Sequence, residues 1–231
     1  MASHKLNQIF LQVCPPILVA PIKGAVQSLR AKRPGASPAG QDLDVYWDPA
    51  MAAILETWGE GNVWNEIQLI MSGRTGTCLD IACGTGKTME VLKNNASLDI
   101  WGCDISDRLI DDAIQRGLNP ERLHVGDASK LPYIDGQFDY SYSIGSIEHF
   151  TEDGIVAMLK ESRRVTKHMA FHTHPVSRNG KDNGWIKMIQ SYFNNSPEWW
   201  LTKYKAAFET VTVLDSKWED ERSVGKWFVC S

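Results

Sequence analysis

Three acidic residues stand where short apolar runs end: Asp80 in LDIACGTGKT, Asp104 in GCDIS and Asp127 in VGDAS. Ligands of open α/β sheets bind at the C-terminal ends of the strands, and an acidic residue about 20 positions beyond a glycine turn holds ribose hydroxyls in nucleotide folds. Asp104 occupies that position, with Ile105 beside it, and Asp127 can accept a hydrogen bond from an adenine amino group. The glycine turn itself, Ala82-Cys83-Gly84-Thr85-Gly86, discriminates between ligands. A triphosphate loop ending at Gly86-Lys87-Thr88 needs glycine where Ile81 stands, and a dinucleotide loop needs glycine where Met89 stands. Three carboxylates and a short glycine turn suit a ligand with adenine, ribose and positive charge but no phosphate. S-adenosylmethionine has that composition, and S-adenosylhomocysteine is what remains once its methyl group has left.

Methyl transfer is an in-line displacement from an already activated sulfonium, so alignment is the main demand. Near-attack positioning supplies roughly 7–11 kcal/mol of barrier reduction. A base is needed only for an acceptor that arrives protonated. His149, in the run Ile147-Glu148-His149-Phe150, titrates near neutral pH and is the candidate base, with Glu148 to orient its ring or accept a substrate hydrogen bond. The same two residues could equally cap the helix that begins near Glu152 or close the floor under the cofactor. His172 and His174 alternate along an apolar run and share a face. They are candidates for acceptor contact, a solvated strand end being the plainer reading, and without a third ligand nearby no metal site is expected. Residues 175–207 carry Trp185, Trp199 and Trp200 among other aromatics, which either line an acceptor pocket or form a satellite core. Tyr46 and Trp47 precede the first helix and would cover the methionine end or staple that helix.

The elements that must position these groups follow a βα alternation. Helix-like spacing at 48–58 and 63–72 precedes strands at 77–82, 98–103, 122–125, 138–143 and 169–173, with helices near 87–95, 106–116 and 152–166. Two late strands are expected at 208–214 and 226–230. This pattern predicts an α/β, doubly wound, seven-stranded and mostly parallel sheet, Rossmann-like, with a helical cap at 42–75 and an aromatic-rich insertion at 175–207 after the fifth strand.

Five segments, LDIACGTGK, GCDIS, VGDAS, LPYIDGQFDYSYSIGSIEHF and LKESRRVTK, occur in this order over about residues 76–175. In that order they resemble class I S-adenosylmethionine-dependent methyltransferases. The resemblance implies that Asp80, Ala82, Cys83, Gly84 and Gly86 cradle the methionine end and that Asp104 and Ile105 hold the ribose. It implies further that Asp127 and Ala128 frame the adenine and that Ser143, Ile144 and Gly145 pass beneath the sulfonium. The family's Pro-Gly-Gly turn before the fifth strand is replaced here by Thr166-Lys167-His168.

The chain has 231 residues, a formal net charge of -4 and five cysteines without a C-x-x-C pair. That balance argues against nucleic acid as partner, and the cysteine usage fits a reducing cytoplasm. Residues 1–41 differ: they hold five basic residues and no acidic ones, with a proline-broken apolar run at 9–22 too short to span a bilayer. This basic extension and linker would fold back as a lid over the acceptor pocket, or residues 1–33 would lie on an anionic membrane surface as a peripheral contact. The expected activity of 42–231 is methylation of a small-molecule acceptor, at oxygen before nitrogen. A non-catalytic binding module or partner subunit on the same fold and an NAD(P)-dependent oxidoreductase are the alternatives. Oligomeric state is not legible.

Overall fold

The computed structural model describes residues 43–188 and 190–231. The N-terminal extension, with its lid and membrane readings, lies outside the described residues. The described chain begins with a short 3-10 turn, Asp44–Trp47, followed by helices α1 (Pro49–Leu55) and α2 (Val63–Met71). Asp48 caps α1 through the Ala50 amide and Asn62 caps α2 through the Val63 amide. Then come β1 (Gly76–Ile81), α3 (Lys87–Leu92), β2 (Leu98–Asp104), α4 (Asp107–Gln115), β3 (Leu123–Val125) and β4 (Phe138–Ile144). After a 3-10 turn at Ile147–His149 follow α5 (Glu152–Val165), β5 (Thr166–Ser177), the small hairpin β6 (Trp185–Ile186) and β7 (Tyr192–Phe193), α6 (Pro197–Lys205), β8 (Val211–Glu219) and β9 (Ser223–Cys230).

Seven strands form one sheet in the order β3-β2-β1-β4-β5-β9-β8. The first five pair in parallel, while β9 runs antiparallel to both β5 and β8. The order reverses at β1, which lies between β2 and β4, and this switch point opens the crevice where such sheets bind ligands. β1 can sit there because its last four residues, Cys78-Leu79-Asp80-Ile81, are all buried, as a strand covered on both faces requires. Cys78 packs with Ile67 and Met71 of α2 on one face. Leu79 and Ile81 pack with Ile155 and Leu159 of α5 on the other.

A third cluster explains how the sheet accommodates Met89. A Cβ placed on Gly102 of β2 would lie 2.8 Å from both Met89 Sδ and Cys83 Sγ and 3.0 Å from Leu123. The space that a dinucleotide loop gains from its third glycine is here supplied by Gly102 on the neighbouring strand, and Met89 fills it.

Element boundaries depart from the expectations mainly where tertiary pairing governs. β5 was expected at 169–173 but runs twelve residues, Thr166–Ser177, because β9 pairs with it as far as Ser177↔Ser223. The insertion therefore starts after β5 rather than at 175. β8 and β9 are likewise longer than expected, each completing the other's ladder. The cap helix is shorter, ending at Leu55. Cys78, Cys83, Cys103 and Cys230 are free and buried, and among the described residues no helix is long and apolar enough to cross a membrane.

Candidate active site

The glycine turn leaves β1 through three residues in the left-handed region: Ala82 at φ 60°, Gly84 at φ 56° and Gly86 at φ 71°. Gly86 is required twice, since a Cβ there would also meet Leu118 at 2.3 Å. Thr85, between the glycines, is buried and tied down from two sides. Its hydroxyl donates to Glu56 Oε1 at 2.8 Å and its carbonyl accepts from Arg116 Nε at 3.0 Å. Arg116 also pairs with Glu56 and, at 3.0 Å, with Glu90. The end of α1, the turn and the end of α4 are thereby locked together.

Asp80 and Asp104 flank this turn. Asp104 is the last residue of β2, and each of its oxygens holds one backbone amide: Gly84 N–H on Oδ2 and Ser106 N–H on Oδ1, both at 2.9 Å. Each oxygen keeps a further lone pair for a ribose hydroxyl. Burial raises the Asp104 carboxyl to about 6, against the lowering effect of these amide bonds. Asp80 Oδ2 is buried with no hydrogen-bond partner. Burial pushes its carboxyl well above the usual range, the Tyr142 hydroxyl alongside pulling it back. A buried orphan carboxylate oxygen beside a turn of left-handed residues fits a ligand that brings positive charge or N–H donors, as the methionine end of S-adenosylmethionine does. The arrangement meets that cofactor's demands at both ends.

Other expected cofactor residues take different places. Cys83 turns its thiol into the cluster with Met89 and Leu123, so only its backbone belongs to the turn. Asp127 is exposed, and its Oδ1 accepts from the Ser129 amide and hydroxyl in a local turn. Ala128 packs in the main core and Ile105 is half-buried. Ser143 is fully buried, its hydroxyl bonded to His172 Nδ1 at 2.7 Å, so only its backbone is free to pass beneath a cofactor. Ile144 is half-buried, and Gly145 after it has φ 63° with Trp58 3.1 Å from its Cβ position.

Beyond Gly145 lies a cavity of about 270 Å³ at the C-terminal ends of β4 and β5. Leu55, Trp58, Tyr192 and Trp218 supply its apolar walls, and Glu148, His149 and His174 its buried polar groups. The cavity adjoins the glycine turn, because Leu55 lies 3.1 Å from the Cβ position of Gly84. Glu148 and His149 do not cap α5, a task that falls to Thr151, which bonds the Gly154 amide. His149 Nδ1 donates to the Ser191 carbonyl at 2.8 Å, so the ring's lone pair is on Nε2, 3.6 Å from Glu148 Oε1. Burial lowers His149 to about 4 and raises Glu148 to about 8, leaving both uncharged at neutral pH. Glu148 Oε2 has no partner.

The remaining substrate candidates divide. His174 lines the cavity, and its ring stacks on Phe228 with centroids 4.9 Å apart. His172 shares its face but not its role. Both ring nitrogens are taken, by Ser143 and by Ser162 at 3.1 Å, and it is fully buried in the core. Trp200 is fully buried against His174, while Trp199 stacks on Phe193 and Trp185 meets that ring edge-on. Trp200 is part of the main core, with Trp199 and Phe193 packed against it, and none of the three tryptophans lines the cavity. Tyr46 and Trp47 pack at the start of α4, just beyond Asp104: Trp47 Nε1 donates to Asp107 at 2.7 Å and the Tyr46 carbonyl accepts from Ser106 Oγ at 2.8 Å. The Tyr46 hydroxyl accepts from Gln190 Nε2 of the insertion at 3.1 Å, linking the start of α4 to the cavity wall. Sequence reasoning missed Trp58 and Trp218. Their only signal was an apolar position at the end of the cap helix and one aromatic in an otherwise charged stretch.

A family described as "Methyltransferase domain" matches residues 78–169. The chain is 34% identical over 109 residues to "Probable tRNA methyltransferase 9B" of Mus musculus, covering 46% of this chain and 23% of that protein. It is 33% identical over 114 residues to demethylmenaquinone methyltransferase of Thermotoga maritima, covering 48% of each. The chain thus spans less than half the length of these curated relatives. A solved SAM-dependent methyltransferase from Aquifex aeolicus shares the fold with a TM-score of 0.59 at 16% identity, covering 80% of this chain and 99% of that one. Residues 78–169 thus carry a methyltransferase domain, and the glycine turn, the strand-end carboxylates and the sheet order agree with the fold of class I S-adenosylmethionine-dependent methyltransferases.

Proposed function

We propose that the chain transfers a methyl group from S-adenosylmethionine to the oxygen of a small-molecule acceptor held in the cavity between Gly145 and His174. The observation that carries this reading is the adjacency of the two sites. Leu55 approaches the glycine turn at Gly84 and also lines the cavity, where Gly145 stands at the end of β4. When bound, the cofactor supplies a methyl group on positively charged sulfur. The chain's own residues do the rest. Asp104 holds the ribose and Asp80 faces the positive end. Trp58, Leu55 and Trp218 keep water out. His149 Nε2, neutral because burial disfavours its charge, accepts the acceptor's proton. Asp127, Ala128 and Ile105 border the adenine side, and Tyr46 and Trp47 close the ribose end.

A second reading draws on relatives whose names refer to tRNA. The charge distribution favours the small molecule. All 28 Asp and Glu lie beyond residue 41, against 19 Lys and Arg there, so the domain has an acidic balance unsuited to a phosphate backbone. Incubation of the chain with methyl-labelled S-adenosylmethionine and either the low-molecular-weight fraction of a cell extract or total tRNA tests the choice. Label in the small-molecule fraction is expected. Label in tRNA alone overturns this acceptor class, and label in neither, with no S-adenosylhomocysteine formed, favours the non-catalytic alternative.

A further inference from the structure

The cavity's buried polar groups have a definite sense. His174 Nδ1 lies 3.1 Å from the Pro175 carbonyl, which can only accept, so this ring too carries its lone pair on Nε2. That atom is buried and has no partner. His149 Nε2 lies 3.6 Å from Glu148 Oε1, too long for a hydrogen bond. Two imidazole lone pairs therefore bound one chamber, neither of them hydrogen-bonded, and the nearest donor is the proton of the neutral Glu148 carboxyl, 3.6 Å from His149. No Lys or Arg is among the residues that line it. An anionic group placed there would find lone pairs and no cation. A hydroxyl would give its hydrogen to an imidazole and leave its oxygen free. A buried acceptor left unpaired is costly, so the occupant is the source of a partner for the His174 lone pair.

Resting on the methyltransferase reading above, we infer that the cavity selects an uncharged hydroxyl compound, with His149 Nε2 and His174 Nε2 as the acceptors of its O–H, and rejects anions. His174 is then a specificity-determining residue. Its ring is held by stacking on Phe228 and by Trp200 with centroids 4.0 Å apart, so the lone pair is presented from a rigid support. The apolar walls from Trp58, Leu55 and Trp218 take the hydrocarbon part, and the volume suits a substituted single ring. Burial holds His174 at about 3 and so keeps it uncharged, in line with an acceptor role.

The test uses the full chain and three matched probes, 4-propylphenol, 4-propylbenzoate and 4-propylbenzylamine, titrated by ligand-observed NMR in the presence of S-adenosylhomocysteine. Saturable binding of the phenol, at least ten-fold tighter than of the benzoate or the ammonium, is expected. In His174→Phe, which keeps the ring stack but deletes the lone pair, phenol affinity should fall about ten-fold with S-adenosylhomocysteine affinity unchanged. His174→Gln, whose amide oxygen can accept, should recover part of it. Equal or tighter binding of the benzoate or the ammonium, no binding of the phenol, or a His174→Phe variant that binds it normally each overturns the inference. Failure of S-adenosylhomocysteine itself to bind the wild-type chain overturns the methyltransferase reading instead.

Discussion

Glu148 and His149 are neighbours in sequence whose buried side chains face each other without bonding, Oε1 to Nε2 at 3.6 Å. Burial moves their titrations past one another, the carboxyl up to about 8 and the imidazole down to about 4. Between those values the pair stays an acid and a base at the wall of one cavity, both uncharged. Pairs of titratable groups pushed apart in this way are a frequent mark of acid-base sites.

His149→Gln removes the basic lone pair. Turnover should fall about 100-fold or more, with cofactor affinity kept. In the wild type, activity should be lost only as pH falls toward about 4, where the buried ring finally charges. Steady-state rates across pH decide this. A variant within a few-fold of wild type would leave His149 a structural residue.

Glu148→Gln should stabilise the fold in a pH-dependent way. In the folded chain Glu148 keeps its proton up to about 8, whereas in the unfolded chain it loses it near the ordinary value of 4.5. The unfolded state therefore binds fewer protons between these limits, and the wild type loses stability as pH rises through that window. Glutamine has no such cost, so the variant's Tm advantage should grow from pH 5 to pH 8. A pH-independent difference would contradict the buried neutral carboxyl.

Gly102→Ala puts a methyl group against Met89 and Cys83. Overpacking of this kind costs about 1–3 kcal/mol. Adding Met89→Ala should recover much of the loss, a coupling that a double-mutant cycle by denaturant unfolding would measure. Additive losses would mean that Gly102 does not make room for Met89.

The glycine turn and the strand ends beside it were legible because they depend on local signals. Asp80 and Asp104 end apolar runs, and Ser106 caps α4 as its type suggests. What stayed hidden depends on pairing and packing between distant segments. The length of β5 comes from β9, more than forty residues downstream of its start. His172 and His174 look alike in sequence, yet Ser143 and Ser162 occupy one ring and leave the other free at Nε2. The insertion's tryptophans read equally as pocket or core, and only the packing decides: Trp185 and Trp199 sit on Phe193, and Trp200 lies inside the main core. The cavity joins the cap, β4, β5, the insertion and the β8–β9 hairpin, a meeting that no periodicity encodes.

The central claim rests on Asp104, and calorimetric titration of S-adenosylmethionine into the wild-type chain and Asp104→Ala tests it most directly. A charge-assisted hydrogen bond is typically worth roughly 1.5–3 kcal/mol. The account predicts saturable binding to the wild type at one site, about ten-fold or more weaker in the folded variant, with NAD(P) showing no competition. Unchanged affinity in Asp104→Ala would contradict the ribose assignment, and binding of NAD(P) in place of S-adenosylmethionine would contradict the account as a whole.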